Sequence, residues 1–93
     1  MASLKGQFAM ASSAAEQIGK LRVRLRGFSE RYQTLIRKAN SSGFAEEYIT
    51  TLQERAAHLN RLIDQLDNKL ARDQKRLEHQ AQIIAALIRE SRE

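Results

Sequence analysis

Asn40-Ser41-Ser42-Gly43, followed by Phe44-Ala45-Glu46-Glu47, is the one stretch of this chain where turn-forming residues gather. Asn or Gly can end a helix in a left-handed conformation, and a serine can cap the helix that follows. Glu46 and Glu47 then stand in a new first turn, where the helix dipole favours negative charge. Upstream of the break, apolar residues fall on a heptad, with Ala11, Ile18, Leu25, Tyr32 and Ala39 at a and Ala14, Leu21, Phe28 and Leu35 at d. Downstream a second heptad runs through Ile49, Ala56, Ile63, Leu70, Leu77 and Ile84 at a, with Leu52, Leu59, Leu66 and Leu87 at d; Asp73 and Gln80 interrupt it. Sustained 3.5-residue spacing specifies helices that pack along a seam. A connection this short must return the second helix antiparallel to the first. The sequence therefore predicts an all-α protein: one antiparallel, coiled-coil-like helical hairpin over residues 1–93. Its helices are expected over about 7–40 and 44–90, with the turn over 40–43.

Composition supports this reading. Among 93 residues there is no proline, glycine occurs four times, and helix-favouring residues dominate. There are no cysteines and two histidines, so neither disulfides nor a zinc knuckle can brace so small a fold. Stability must come from helix packing or from partners. The longest apolar run, Ile83 to Ile88, is far below the roughly 20 residues that span a bilayer. Near the N-terminus, Gly6, Gln7, Ser12 and Ser13 interrupt what a cleavable signal peptide would need as its apolar core. The expected location is cytoplasmic, or outside the cell by a secretion route that uses no signal peptide.

Folding the chain about residues 41 and 42 places Gln7 opposite Arg76, so the second helix is expected to overhang by roughly 20 Å. That tail carries Leu77, Ala81, Ile83, Ile84, Leu87 and Ile88. If the first helix starts instead near Ser3, Leu4 and Phe8 cover part of the tail. In either case the seam has apolar flanks: Phe8 and Ile36 on the first helix, Tyr48, Leu62 and Ile83 on the second. Exposed apolar patches mark association surfaces, and helical hairpins commonly complete their cores as four-helix bundles. Leu77, Ile83, Ile84, Leu87, Ile88, Tyr48 and Leu62 are therefore the candidate partner-binding residues. The partner is a second copy, giving a homo-oligomer, or another helical protein. Asp73 and Gln80, polar at d, either fix register and partner choice or mark where the seam becomes solvated.

The net charge of +5 belongs to the first helix. Through Gly43 there are eight basic and two acidic residues, against eight and nine in the remainder. Arg24, Arg31 and Lys38 share the g column, and the g positions opposite, Tyr48, Arg55 and Leu62, hold no carboxylate. Three readings of this stripe are open: a solvated face, a site for an acidic protein partner, or a site for phosphate on nucleic acid or an anionic membrane. A basic nucleic-acid-binding accessory or regulator is accordingly the alternative function. Aromatics interleaved with the basic residues, which nucleic-acid binding would favour, are missing.

No enzyme is expected. His58 and His79 stand about 30 Å apart along one helix, too far to share a metal. Asp64 and Asp67 lie on a convex surface with no second wall to form a pocket. There is no phosphate-binding glycine loop, nucleophile elbow or metalloprotease spacing, and no cofactor is implied. Gly19 and Gly27 fall inside the first helix, where each costs about 1 kcal/mol relative to alanine.

Gly6-Gln7-Phe8, Ala14-Ala15-Glu16-Gln17-Ile18, the central Ser42-Gly43-Phe44 and the polar heptad helix after it resemble the small helical-hairpin secretion proteins of the WXG100 (ESAT-6-like) family. The likeness extends over the whole chain, although Gly43-Phe44 stands where that family has Trp-x-Gly. Asn40-Ser41-Ser42 with Tyr48 and Leu52, and the late Ile83-Ile84, resemble type III secretion needle subunits, without the prolines of their turn. Both resemblances imply a non-catalytic protein that pairs or polymerises through helix faces within a secretion system.

Overall fold

A computed structural model of the chain describes residues 3–91. It contains two helices, α1 (Leu4–Ser41) and α2 (Glu46–Ser91), so the protein is all-α and folds as a helical hairpin. Helix α1 begins three residues earlier than the heptads suggest, because Ser3 caps it: the Gly6 amide donates to Ser3 Oγ at 3.0 Å and the Gln7 amide to the Ser3 carbonyl at 2.9 Å.

The reversal is built at Gly43, whose φ of 81° lies in the left-handed region that favours glycine. The Phe44 amide donates to the Ala39 carbonyl and the Gly43 amide to the Asn40 carbonyl, the paired bonds of a Schellman motif. No serine caps α2. Ser41 Oγ turns back to the carbonyls of Arg37 and Lys38, and Ala45 occupies the N-cap, its carbonyl accepting from Tyr48 and Ile49. Glu46 and Glu47 do occupy the first turn of α2.

Packing divides the chain into two compact units, each made from both helices. In the unit formed by 23–68, Ile36, Ile49 and Ala56 form a buried cluster flanked by Tyr32, Ala39 and Leu52, with Ile63 further along α2. In the other, formed by 1–22 with 69–93, the buried apolar residues are Ala11, Ala15, Ala81 and Ile84, and Arg22 donates to Gln74 Oε1 at 2.9 Å. No described side chain is completely removed from solvent, as expected when only two helices share a seam.

The unit formed by 1–22 with 69–93 corrects the predicted overhang. Because α1 starts at Leu4 and the turn falls at 42–45, the late residues of α2 have an intramolecular partner. Ala81 and Ile84 are buried and Leu77 and Ile88 half-buried, leaving Ile83 and Leu87 exposed.

The second correction concerns register. In α1 the a column is inside as predicted, but its companion is e, not d: Ala15 and Ile36 are buried and Arg22 and Ser29 half-buried, whereas Leu21, Phe28 and Leu35 are exposed. Ile36, expected on an exposed flank, is 5% exposed. In α2 the seam begins on a and d at Ile49, Leu52 and Ala56, then passes to e at Asp67 and Ala81 while Leu66, Gln80 and Leu87 face out. A nearly straight helix drifts about 20° per heptad against a 3.5-residue repeat, which carries one column out of the seam and its neighbour in.

Candidate functional site

Residues 23–68 present two unlike sides. On the side of the e and b columns, polar groups close the seam. Arg26 donates to Asp64 Oδ1 at 2.7 Å and to Asp67 Oδ2 at 2.9 Å, and Ser29 Oγ donates to Asn60 Oδ1. Asp67 is the buried charged residue of the described chain, its side chain 7% exposed. A charge taken out of water is tolerated only when paired and hydrogen-bonded, and Arg26 supplies both. The bonds to Asp64 and then Asp67 raise the Arg26 pKa above its ordinary value. Of the two polar d positions, Asp73 is half-buried and Gln80 exposed, and the buried charged group is Asp67 in the e column.

The side of the g and d columns is open. Leu25, Phe28, Tyr32 and Leu35 of α1 and Leu59 and Ile63 of α2 line a groove of about 400 Å3. Phe28 is 57% and Leu35 62% exposed, and Leu62 and Leu66 are exposed beyond the groove's α2 edge. Arg31 closes one lip, its guanidinium carbon 4.8 Å from the centre of the Phe28 ring, within cation–π range. Arg24 and Lys38 continue that lip one heptad to either side, exposed and without an ion pair among the described residues. The stripe read from the sequence is thus the rim of an apolar groove.

Among the other candidate residues, Tyr48 is exposed at the start of α2, its ring 5.7 Å from that of Phe44. In the unit formed by 1–22 and 69–93, Ala14, Leu77 and Ile84 line a second, smaller groove together with Met10 and Gln80. Ile83 and Leu87 are exposed, and Ile84 belongs mainly to the seam. Sequence reasoning missed Phe28 and Leu35 as surface residues because it assigned them to the core. The signal that could have exposed them is apolar content in too many columns: a, d and parts of g and e cannot all face one partner helix.

The chain matches no family model, no curated protein and no solved structure. The groove is therefore read from its own chemistry. No three His, Cys, Asp or Glu side chains among the described residues form a group that could hold a metal, and no helix among them is long and apolar enough to cross a membrane. An apolar trough with cationic edges can bind an apolar ridge and orient it by charge.

Proposed function

We propose that this chain is a non-catalytic helical interaction or assembly protein that completes a bundle through its exposed apolar helix faces, pairing with a second copy or another helical protein. The observation that carries the reading is an inversion of ordinary burial: Phe28 and Leu35 lie in water while Ser29 and Asp67 occupy the seam. Leaving a large apolar side chain exposed forgoes about 1.5–3 kcal/mol of burial, which a partner restores.

Within this reading the chain has no catalytic role, and its setting is a secretion or assembly system. That setting is supported by the sequence resemblances to WXG100-type proteins and needle subunits. The alternative, a nucleic-acid accessory, is favoured by the unpaired Arg24 and Lys38 but leaves the apolar groove without a purpose.

The test is site-specific photo-crosslinking in the cells that make the protein, with a photoreactive residue at Phe28, at Ile83 and, as a control, at Val23. Val23 is 73% exposed but stands apart on the outer f column. Protein adducts from Phe28 or Ile83 and none from Val23 are expected. Absence of protein adducts from both, or adducts to nucleic acid in their place, overturns the proposal.

A further inference from the structure

We infer that the groove of residues 23–68 receives an amphipathic helix with acidic flanks contributed by a different protein, and not a second copy of this chain. The inference rests on the interaction reading above and names the partner's chemistry.

Charge around the groove is segregated. Of the seven basic residues between 23 and 68, four stand in the g columns that border it: Arg24, Arg31 and Lys38 on α1 and Arg55 on α2. All six carboxylates of the same stretch fall in the b, e and f columns, and none in a, d or g. Two of them, Asp64 and Asp67, are already engaged by Arg26 on the far side of the seam. The groove therefore meets its occupant with cations alone.

A second copy docked on this face by two-fold symmetry sets Arg24, Arg31 and Lys38 against the g column of its mate's α1 or α2, and each of these carries positive charge and no carboxylate between 23 and 68, so like charges meet. Residues 23–68 offer no substitute ridge, because the exposed apolar d columns there are bordered by the g columns that carry the cations. A helix with glutamate or aspartate beside an apolar stripe satisfies both requirements. Its stripe fills the trough between Phe28 and Leu35 on one wall and Leu59 and Ile63 on the other, as amphipathic helices dock in grooves. Its carboxylates reach Arg31 and its neighbours, as e and g charges select partners in coiled coils. An anionic bilayer meets the cations equally well, but presents no ridge to fill a trough between two helices.

The decisive experiment is fluorescence anisotropy with a labelled synthetic amphipathic peptide, leucine at a and d and glutamate at e and g, titrated with the full chain. A peptide with lysine at e and g and vesicles of phosphatidylglycerol and phosphatidylcholine are run beside it. The glutamate peptide is expected to bind roughly tenfold or more tighter than the lysine peptide, with affinity falling as salt rises. The doubly substituted Phe28→Ser, Leu35→Ser chain, whose altered side chains are mostly outside the seam, should lose about tenfold or more. Arg24→Glu, Arg31→Glu and Lys38→Glu together should reverse the preference between the peptides, while Ile83→Ser with Leu87→Ser should bind as the unmodified chain does.

Equal binding of both peptides, binding indifferent to Phe28 and Leu35, or capture by the vesicles without the peptide overturns the inference. So does self-association that disappears in the Phe28→Ser, Leu35→Ser chain. Photo-crosslinks from Ile83 with none from Phe28 would sink it too, while leaving the broader interaction reading standing.

Discussion

Leu35 and Ile36 are adjacent in sequence, and the structure gives them opposite fates: Leu35 is 62% exposed and Ile36 5%. A heptad packed on a and d requires the reverse, so truncating each in turn decides the register. Ile36→Ala removes a buried side chain from the cluster with Ile49 and Ala56. Such changes cost about 2–5 kcal/mol, and a two-helix seam can partly collapse around the gap, so a value of about 2–3 kcal/mol is expected. Leu35→Ala forfeits little more than a third of a leucine's burial, and alanine's helix propensity offsets part of that, which leaves less than about 1 kcal/mol. For a chain of this size 1 kcal/mol moves Tm by about 4–8 °C. Melting followed by helical circular dichroism should show a fall of about 10–15 °C for Ile36→Ala and under about 6 °C for Leu35→Ala. The protein must be dilute, since association through Leu35 would add to its apparent contribution. A Leu35→Ala loss equal to or larger than that of Ile36→Ala in dilute solution would refute the register and the groove with it.

Other perturbations probe the seam and the turn. Asp67→Ala removes a buried, hydrogen-bonded carboxylate and leaves its cationic partner Arg26 behind, and should cost about 2–3 kcal/mol in urea unfolding. Ala45→Asp supplies the missing N-cap of α2 and should raise stability by about 1 kcal/mol in the same assay. Gly43→Ala forces a β-carbon into a left-handed conformation and should lower Tm, and Gly27→Ala should raise it. Gly27 needs no such conformation, and a β-carbon there meets only the end of the Arg31 side chain at 4.0 Å, so about 1 kcal/mol of helix propensity is gained.

Fold class, turn and antiparallel return were legible because each has a local cause: sustained heptads, no proline, and one cluster of turn residues whose glycine takes the left-handed angle. The overhang was misjudged because it depended on where α1 starts, and that is set by a single hydroxyl, Ser3. The a columns were identified correctly, since both helices turn them inward, where each residue is buried or half-buried. The choice between d and e was not legible from α1 alone. Its d column is the more apolar, and what brings e inward is on the other helix: Asn60 facing Ser29, and Asp64 with Asp67 facing Arg26. The cations of the groove's α1 lip were found as a stripe, but their relation to an apolar trough was hidden by placing Phe28 and Leu35 in the core.

These polar contacts explain why the apolar columns remain outside. Columns d and e lie on either side of a, so α1 could in principle present d to α2 in place of e by a rotation of about 50° about its axis. That rotation would bury Phe28 and Leu35, but it would pull Arg26 from Asp67 and cost a buried carboxylate an ion pair and a hydrogen bond. A polar seam is poor at stabilising a hairpin and good at fixing its register. Here the register it fixes holds the larger apolar residues at the surface, bordered by cations, in a trough of defined width. The arrangement is uneconomical for a hairpin that acts alone, and coherent for one whose third helix comes from elsewhere.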